Sequence, residues 1–227
     1  MLIFLLPYFV CTLYRKIDEN EIWFDDVDEM LLENSNDCSK STNHLVKPNS
    51  FKGLTKTVAM DCEMVGVGID GVTSMLARTS IVNHFGNCIY DKYVKNLEKV
   101  TDFRTRVSAE KFSVVQKEVS DILKGRILVG HAISNDLKVL YLSHPKLQIR
   151  DTSKFKKFRR IFGGKTPSLR RLTERLLGVQ IQDGEHSSIQ DAQAAIRLYT
   201  LHRKEWESTI GRRKHRIKAK VSAKTSE

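Results

Sequence analysis

The sequence predicts an α/β fold built on a mixed sheet, and two observations carry that prediction. Extended segments with a period of two come first, in hairpin order, and then helical, extended and helical segments alternate along the chain. A third observation sets the extent. The apolar periodicity falls within residues 54–207 of a 227-residue chain, which is a single domain's worth.

Each element has its own justification. Thr57–Met64 alternates Val58, Met60 and Cys62 against Ala59, Asp61 and Glu63 and reads as a strand. Ser74–His84 and Cys88–Val94 follow as strands, and the short turn Phe85-Gly86-Asn87 makes them a hairpin. Lys111–Leu123 repeats Phe112, Val115, Val119, Ile122 and Leu123 at helical spacing, and Gly125 stops it. Arg126–His131 is a short buried strand. Asn135–Leu142 resumes the helical period through Leu137, Leu140 and Tyr141 until Pro145 breaks it. Ser168–Leu177 lines up Leu169, Leu172, Leu176 and Leu177 before Gly178. A last helix, from about Ser188 to Trp206, turns Ile189, Ala192, Ile196 and Tyr199 inward. There is no internal repeat.

The flanks read differently. Residues 1–53 form an appendage with an apolar start, an acidic stretch and a polar linker, and residues 208–227 form a basic tail. No apolar run reaches eighteen residues, so a membrane-spanning helix and a membrane partner are not expected. Met1–Tyr14 has no basic residue ahead of its apolar run and no clean cleavage site, so it is not read as a leader. The four cysteines make no CxxC pair, which argues against a zinc site or a disulfide scaffold and for a reducing compartment.

Charge points to a partner. Residues 17–37 hold nine acids and no lysine or arginine, yet the chain carries a net +11, so the body beyond them is strongly basic. Such a body is expected to meet a polyanion. Ten Lys/Arg lie between Arg150 and Arg175, interleaved with Phe155, Phe158 and Phe162. Cations there suit phosphate steering, and Phe158 and Phe162 are expected in the core. Gly163-Gly-Lys-Thr166 imitates the end of a phosphate-binding loop, but Arg159 stands where that pattern needs glycine, and the reading is rejected.

Three segments carry candidate chemistry. Asp61 and Glu63, two apart on a strand, emerge on one face, where two carboxylates repel unless a cation or solvent separates them. Their hard oxygens suit Mg²⁺ or Mn²⁺. Asp136 sits in the first turn of a helix after a strand end, a place where acids commonly serve only the helix dipole. In His186–Asp191, Ser188 is expected as a helix N-cap with Asp191 completing a capping box, leaving His186 on a loop.

Taken together, Val58–Gly66 (VAMDCEMVG), Gly130–Asp136 (GHAISND) and His186–Asp191 (HSSIQD) resemble the DEDDh exonucleases of the ribonuclease H-like fold. Within them the likeness is to the RNA exonuclease 4 group, akin to the interferon-stimulated exonucleases. It extends to Leu76–Val82 (LARTSIV), Tyr90–Val94 (YDKYV), Thr101–Arg104 (TDFR), Pro167–Leu172 (PSLRRL) and, upstream, Glu21–Asp26 (EIWFDD). The resemblance implies a ribonuclease H-like mixed sheet flanked by helices. It makes Asp61, Glu63, Asp136 and Asp191 the ligands of two Mg²⁺ or Mn²⁺ ions and His186 the general base. Met64, His131 and Arg78 are expected at the substrate. The implied reaction is 3′→5′ hydrolysis of single-stranded RNA to nucleoside 5′-monophosphates in the nucleus or nucleolus, in ribosomal RNA processing. A DNA exonuclease and a catalytically impaired RNA-binding factor are the rivals. Two departures stand out. Val107-Ser108 runs almost directly into Ala109–Phe112, about ten residues short of the family pattern. The apolar start also stands where the family has a longer basic region, as a different start or an incomplete gene model would give.

Overall fold

The structure is a computed structural model and describes residues 45–67, 73–95, 109–182 and 186–212. The expectations placed on the apolar start, the acidic stretch, Thr101–Arg104, the shortened connection through Ser108 and the tail beyond residue 212 lie outside the described residues.

Six strands form one sheet. They are β1 (Thr57–Val67), β2 (Thr73–Asn83), β3 (Cys88–Lys95), β4 (Glu110–Lys111), β5 (Ile127–Gly130) and β6 (Ile149–Asp151), in the order β4-β3-β2-β1-β5-β6. β2 runs antiparallel to both neighbours, and the other pairings are parallel. The helices are α1 (Phe112–Leu123), α2 (Ser134–Val139), α3 (Lys156–Ile161), α4 (Leu169–Leu177) and α5 (Ser188–Leu201), with residues 203–212 helical beyond them.

The period of two along β1 decides which layer each side chain enters. Val58, Met60 and Cys62 pack with Val115, Val119 and Leu123 of α1 and Leu137 of α2. Ala59 faces the opposite layer, where Phe158, Leu172, Ala195 and Tyr199 meet over the sheet. Phe158 and Leu172 are fully buried, worth roughly 2 kcal/mol each. Asp61 and Glu63 continue the Ala59 row toward the N-terminus of α5.

The hairpin turn forms as expected. Gly86 has φ 87°, and a Cβ there would meet the Leu45 carbonyl at 2.5 Å. α4 also has its expected ends: the Ser168 hydroxyl accepts from the Arg171 N–H, and Gly178 closes it at φ 66°.

Four expectations need correction. The helix after β5 ends at Val139, and Tyr141 stands 81% exposed at φ 51° with its edge toward Phe112. The last helix stops at Leu201 rather than Trp206, because the chain leaves helical geometry at His202. The capping box does not form. Ser187 is the N-cap and caps with no side chain, while Ser188 is buried with its hydroxyl 2.6 Å from that of Ser80 on β2. Phe162 is only half-buried, beneath Arg171 and Arg175, whereas Phe158 is core.

The far edge of the domain is closed by a buried ion pair. Arg150 on β6 is 1% exposed. It donates through Nε and Nη2 to both Glu207 carboxylate oxygens, at 2.6 and 2.8 Å, and through Nη1 to the Leu147 and Ile149 carbonyls. The Tyr199 hydroxyl donates to Glu207 at 3.0 Å, and Trp206 stacks on Phe155 at 4.0 Å.

Candidate active site

β1 is longer than its parallel neighbour. β5 pairs with it only through Thr57, Val58 and Ala59, while β1 runs on beside β2 to Val67. Asp61 and Glu63 lie in that overhang, opposite Ser80 and Arg78 of β2, and the register slips by one residue just after Glu63.

Asp136 fills the space where β5 gives out. A Cβ on Gly130 would meet Ile133 Cδ1 at 2.6 Å and the Met60 carbonyl at 3.0 Å, so glycine lets the chain turn tightly over β1. Ala132 follows at φ 55°, held by its N–H to Asp151 Oδ1 at 2.9 Å. α2 then starts, and the Asp136 carboxylate accepts the Cys62 backbone N–H of β1. Burial pushes the Asp136 carboxyl up to about 7, and that hydrogen bond only partly offsets it.

α5 delivers the fourth acid. Asp191 lies in its first turn, and Gln182 Nε2 donates to Asp191 Oδ2 at 2.7 Å from a residue at φ 62°. Glu63 accepts the Ser188 backbone N–H, so an acid from the strand satisfies a donor of the helix end. His186 is exposed on the approach to α5, near enough for its charge to draw down the carboxyls of both Glu63 and Asp191.

The four acids feel one another. Burial, then Asp136, Asp191 and Glu63 in turn, pushes the Asp61 carboxyl well above the carboxylate range. Glu63 is raised by burial and then by Asp191, and Asp191 by burial. Among the described residues no three His, Cys, Asp or Glu side chains stand close enough, as placed, to enclose an ion. The donors nonetheless fit a hard divalent cation. All are carboxylates, and Glu63 Oε1 and Asp191 Oδ1 are buried without a hydrogen-bond partner among the described residues.

The exonuclease family profile (RNase_T) matches residues 58–199, which span β1 to α5 and all five of these residues. The chain belongs to this exonuclease family. It is 52% identical to mouse RNA exonuclease 4 over 88% of this chain and 53% of that protein. It is 49% identical to the RNA exonuclease 4 of Saccharomyces cerevisiae over 71% of this chain and 60% of that protein. The chain thus spans about half the length of the first of these curated relatives. Among solved structures, the S. cerevisiae Pan2 pseudoubiquitin hydrolase–RNA exonuclease module in complex with AAUUAA RNA superposes with a TM-score of 0.55. That match has 29% identity and covers 73% of this chain and 32% of that one.

The remaining candidates of this exonuclease domain sit on the rim. Met64 is 36% exposed at the slip in β1. Arg78 makes a two-pronged ion pair with Asp91, at 2.8 Å for each bond, and lies over Tyr93, so its guanidinium is already committed. His131 is tied internally: Nδ1 lies 2.8 Å from Thr152 Oγ1, and the ring also bonds the Pro167 carbonyl. Sequence reading missed Gln182, which orients Asp191, and the Cys62 and Ser188 N–H groups that hold Asp136 and Glu63. Backbone donors leave no mark in a sequence. Gln182, nine residues before Asp191 and outside any periodic segment, leaves little more.

Proposed function

We propose that the chain is a divalent-metal-dependent 3′→5′ exoribonuclease releasing nucleoside 5′-monophosphates. The observation that carries the reading is the gathering of four acids, from β1, α2 and α5, around the overhang of β1, with His186 beside two of them. Asp61, Glu63, Asp136 and Asp191 would hold two Mg²⁺ or Mn²⁺ ions. When bound, such ions supply counter-charge for the scissile phosphate and lower the pKa of a nearby water.

The chain's own residues do the rest. Asp136, raised by burial and then by Asp151, and Asp61, raised by burial and then by its acidic neighbours, release their protons when positive charge enters the cluster. Gln182 and the Cys62 and Ser188 N–H groups fix the orientation of three carboxylates before substrate arrives. His186, exposed and outside the helix, accepts a proton from the attacking water on a ring nitrogen. Met64 offers an apolar surface at the rim for the terminal base. RNA as the polymer is supported by the RNA exonuclease names of the relatives and by the basic body. The nucleus, with ribosomal RNA precursors as substrate, is the setting that the family resemblance supports.

Purified protein and a 5′-labelled single-stranded RNA test the reading, with Mg²⁺, with EDTA and with Asp61→Asn. The expected outcome is a ladder shortening from the 3′ end, lost in EDTA and reduced at least about 10³-fold in the variant. Binding without shortening would replace the enzyme with an RNA-binding factor. Faster digestion of the matching DNA would reassign the substrate.

A further inference from the structure

We propose that a strip of cations running from Lys154 through Lys165 to Arg171 and Arg175 is the bed for the single-stranded RNA upstream of the 3′ end. The proposal rests on the exonuclease reading above and adds the path of the strand outside the acidic cluster.

The strip starts at the site. Lys154 Nζ lies 2.9 Å from Asp151 Oδ2 and 3.4 Å from Ser134 Oγ, two residues before Asp136, and the side chain is 65% exposed. The loop 163–167 abuts the same turn, because the Pro167 carbonyl bonds His131, which directly follows β5. Lys165 is exposed on that loop. From Pro167 the chain enters α4, about 13 Å long. There the guanidinium carbons of Arg171 and Arg175 lie 5.1 and 5.3 Å from the centre of the Phe162 ring.

Several cations elsewhere in the fold are paired. Arg78 has Asp91, Lys92 has Glu118, Arg150 has Glu207 and Lys157 has Glu205. Among the described residues no carboxylate lies within 4.0 Å of Arg159, Arg160, Lys165, Arg171 or Arg175. Arg171 and Arg175 are one helical turn apart, a like-charge spacing that costs stability rather than adding it. Cation–π contact with Phe162 holds both guanidiniums near the ring while leaving the side chains exposed. Planar cations over an aromatic ring, leading away from an acidic cluster, match a polymer that alternates phosphates with stackable bases. An acidic peptide would use the charge but not the ring.

The test compares a 3-nucleotide with a 20-nucleotide single-stranded RNA, using the full chain and the variant Arg171→Glu/Arg175→Glu. The wild type is expected to favour the long substrate through KM. In the double variant the long-substrate KM rises at least tenfold and the ratio of the two KM values approaches one. The slope of log KM against log salt should fall by about 1.4, the value for two lost contacts to a single strand. Lys165→Glu repeats the measurement without touching a helix and should move KM the same way. Arg171→Lys/Arg175→Lys, which keeps charge and loses the stack, should fall between. An unchanged KM ratio would overturn the proposal, as would an acidic peptide of matched charge competing as well as RNA. Anisotropy with the 20-mer in EDTA separates the two levels. A wild type that binds but never cleaves, with binding lost in the double variant, sinks the exonuclease reading and keeps the bed. Cleavage with length preference retained in the variant sinks only the bed.

Discussion

The two ends of this domain bury charge in opposite ways. At the β6 edge, Arg150 is enclosed and answered: Glu207 takes two of its five N–H donors and the Leu147 and Ile149 carbonyls take two more. At the β1 overhang, four carboxylates are crowded, two of their oxygens have no partner among the described residues, and the acids raise one another. The first arrangement is finished without a ligand. The second is complete only with added positive charge, and it holds back stability that a cation would return. Buried charge therefore reads as structural or functional according to whether its partners are already in the chain.

Three measurements would break or sharpen this contrast. Glu207→Leu leaves the Arg150 guanidinium buried without its counter-ion and should cost about 3–5 kcal/mol in chemical denaturation, with the acidic cluster untouched. A loss under 1 kcal/mol would put the Arg150 node on a par with a surface pair. The next effect is smaller and belongs to the other end. Mg²⁺ at a hundred times its Kd should stabilise the wild type by about 2.7 kcal/mol, and Asp61→Asn should show little of that gain while being no less stable without metal. A metal-free Asp61→Asn that unfolds more easily than the wild type would mean the cluster is not strained.

The last effect is in pH, and its sign differs between the ends. Burial, and then Lys157, lowers the His202 imidazole to about 4. Stability from keeping that ring neutral is present above 6.5 and lost as pH falls toward 4. His202→Phe should recover about 1–2 kcal/mol of the loss, a figure discounted because the ring is partly exposed. Asp136 runs the other way. With its carboxyl at about 7, the metal-free protein loses stability as pH rises from 3.8 toward 7, so the advantage of Asp136→Asn should grow across that window. Thermal midpoints across the two windows, with EDTA present, check both slopes.

The sequence made some of this legible and hid the rest, for physical reasons. Alternation along Thr57–Met64 was enough to put Asp61 and Glu63 on one face, because a strand's period is fixed by its geometry. The ends of α4 were readable because Ser168 and Gly178 act locally. The cap of α5 was not, since Ser188 was claimed by Ser80 from more than a hundred residues away. β6 and α3, three and six residues long, are too brief for a period to register. Phe162 looked like core by type and is instead a half-buried plate under two arginines, which no pattern of apolar spacing distinguishes.

The shortness of β5 has a consequence for engineering and for evolution alike. Asp136 takes up a β1 donor, the Cys62 N–H, that a longer β5 would use in the sheet. Placement of Asp136 and extension of the sheet thus compete for one hydrogen-bond position. Any lineage or designer that lengthened β5 to reinforce the sheet would evict Asp136, so the reach of that strand should be among the least negotiable dimensions of the domain.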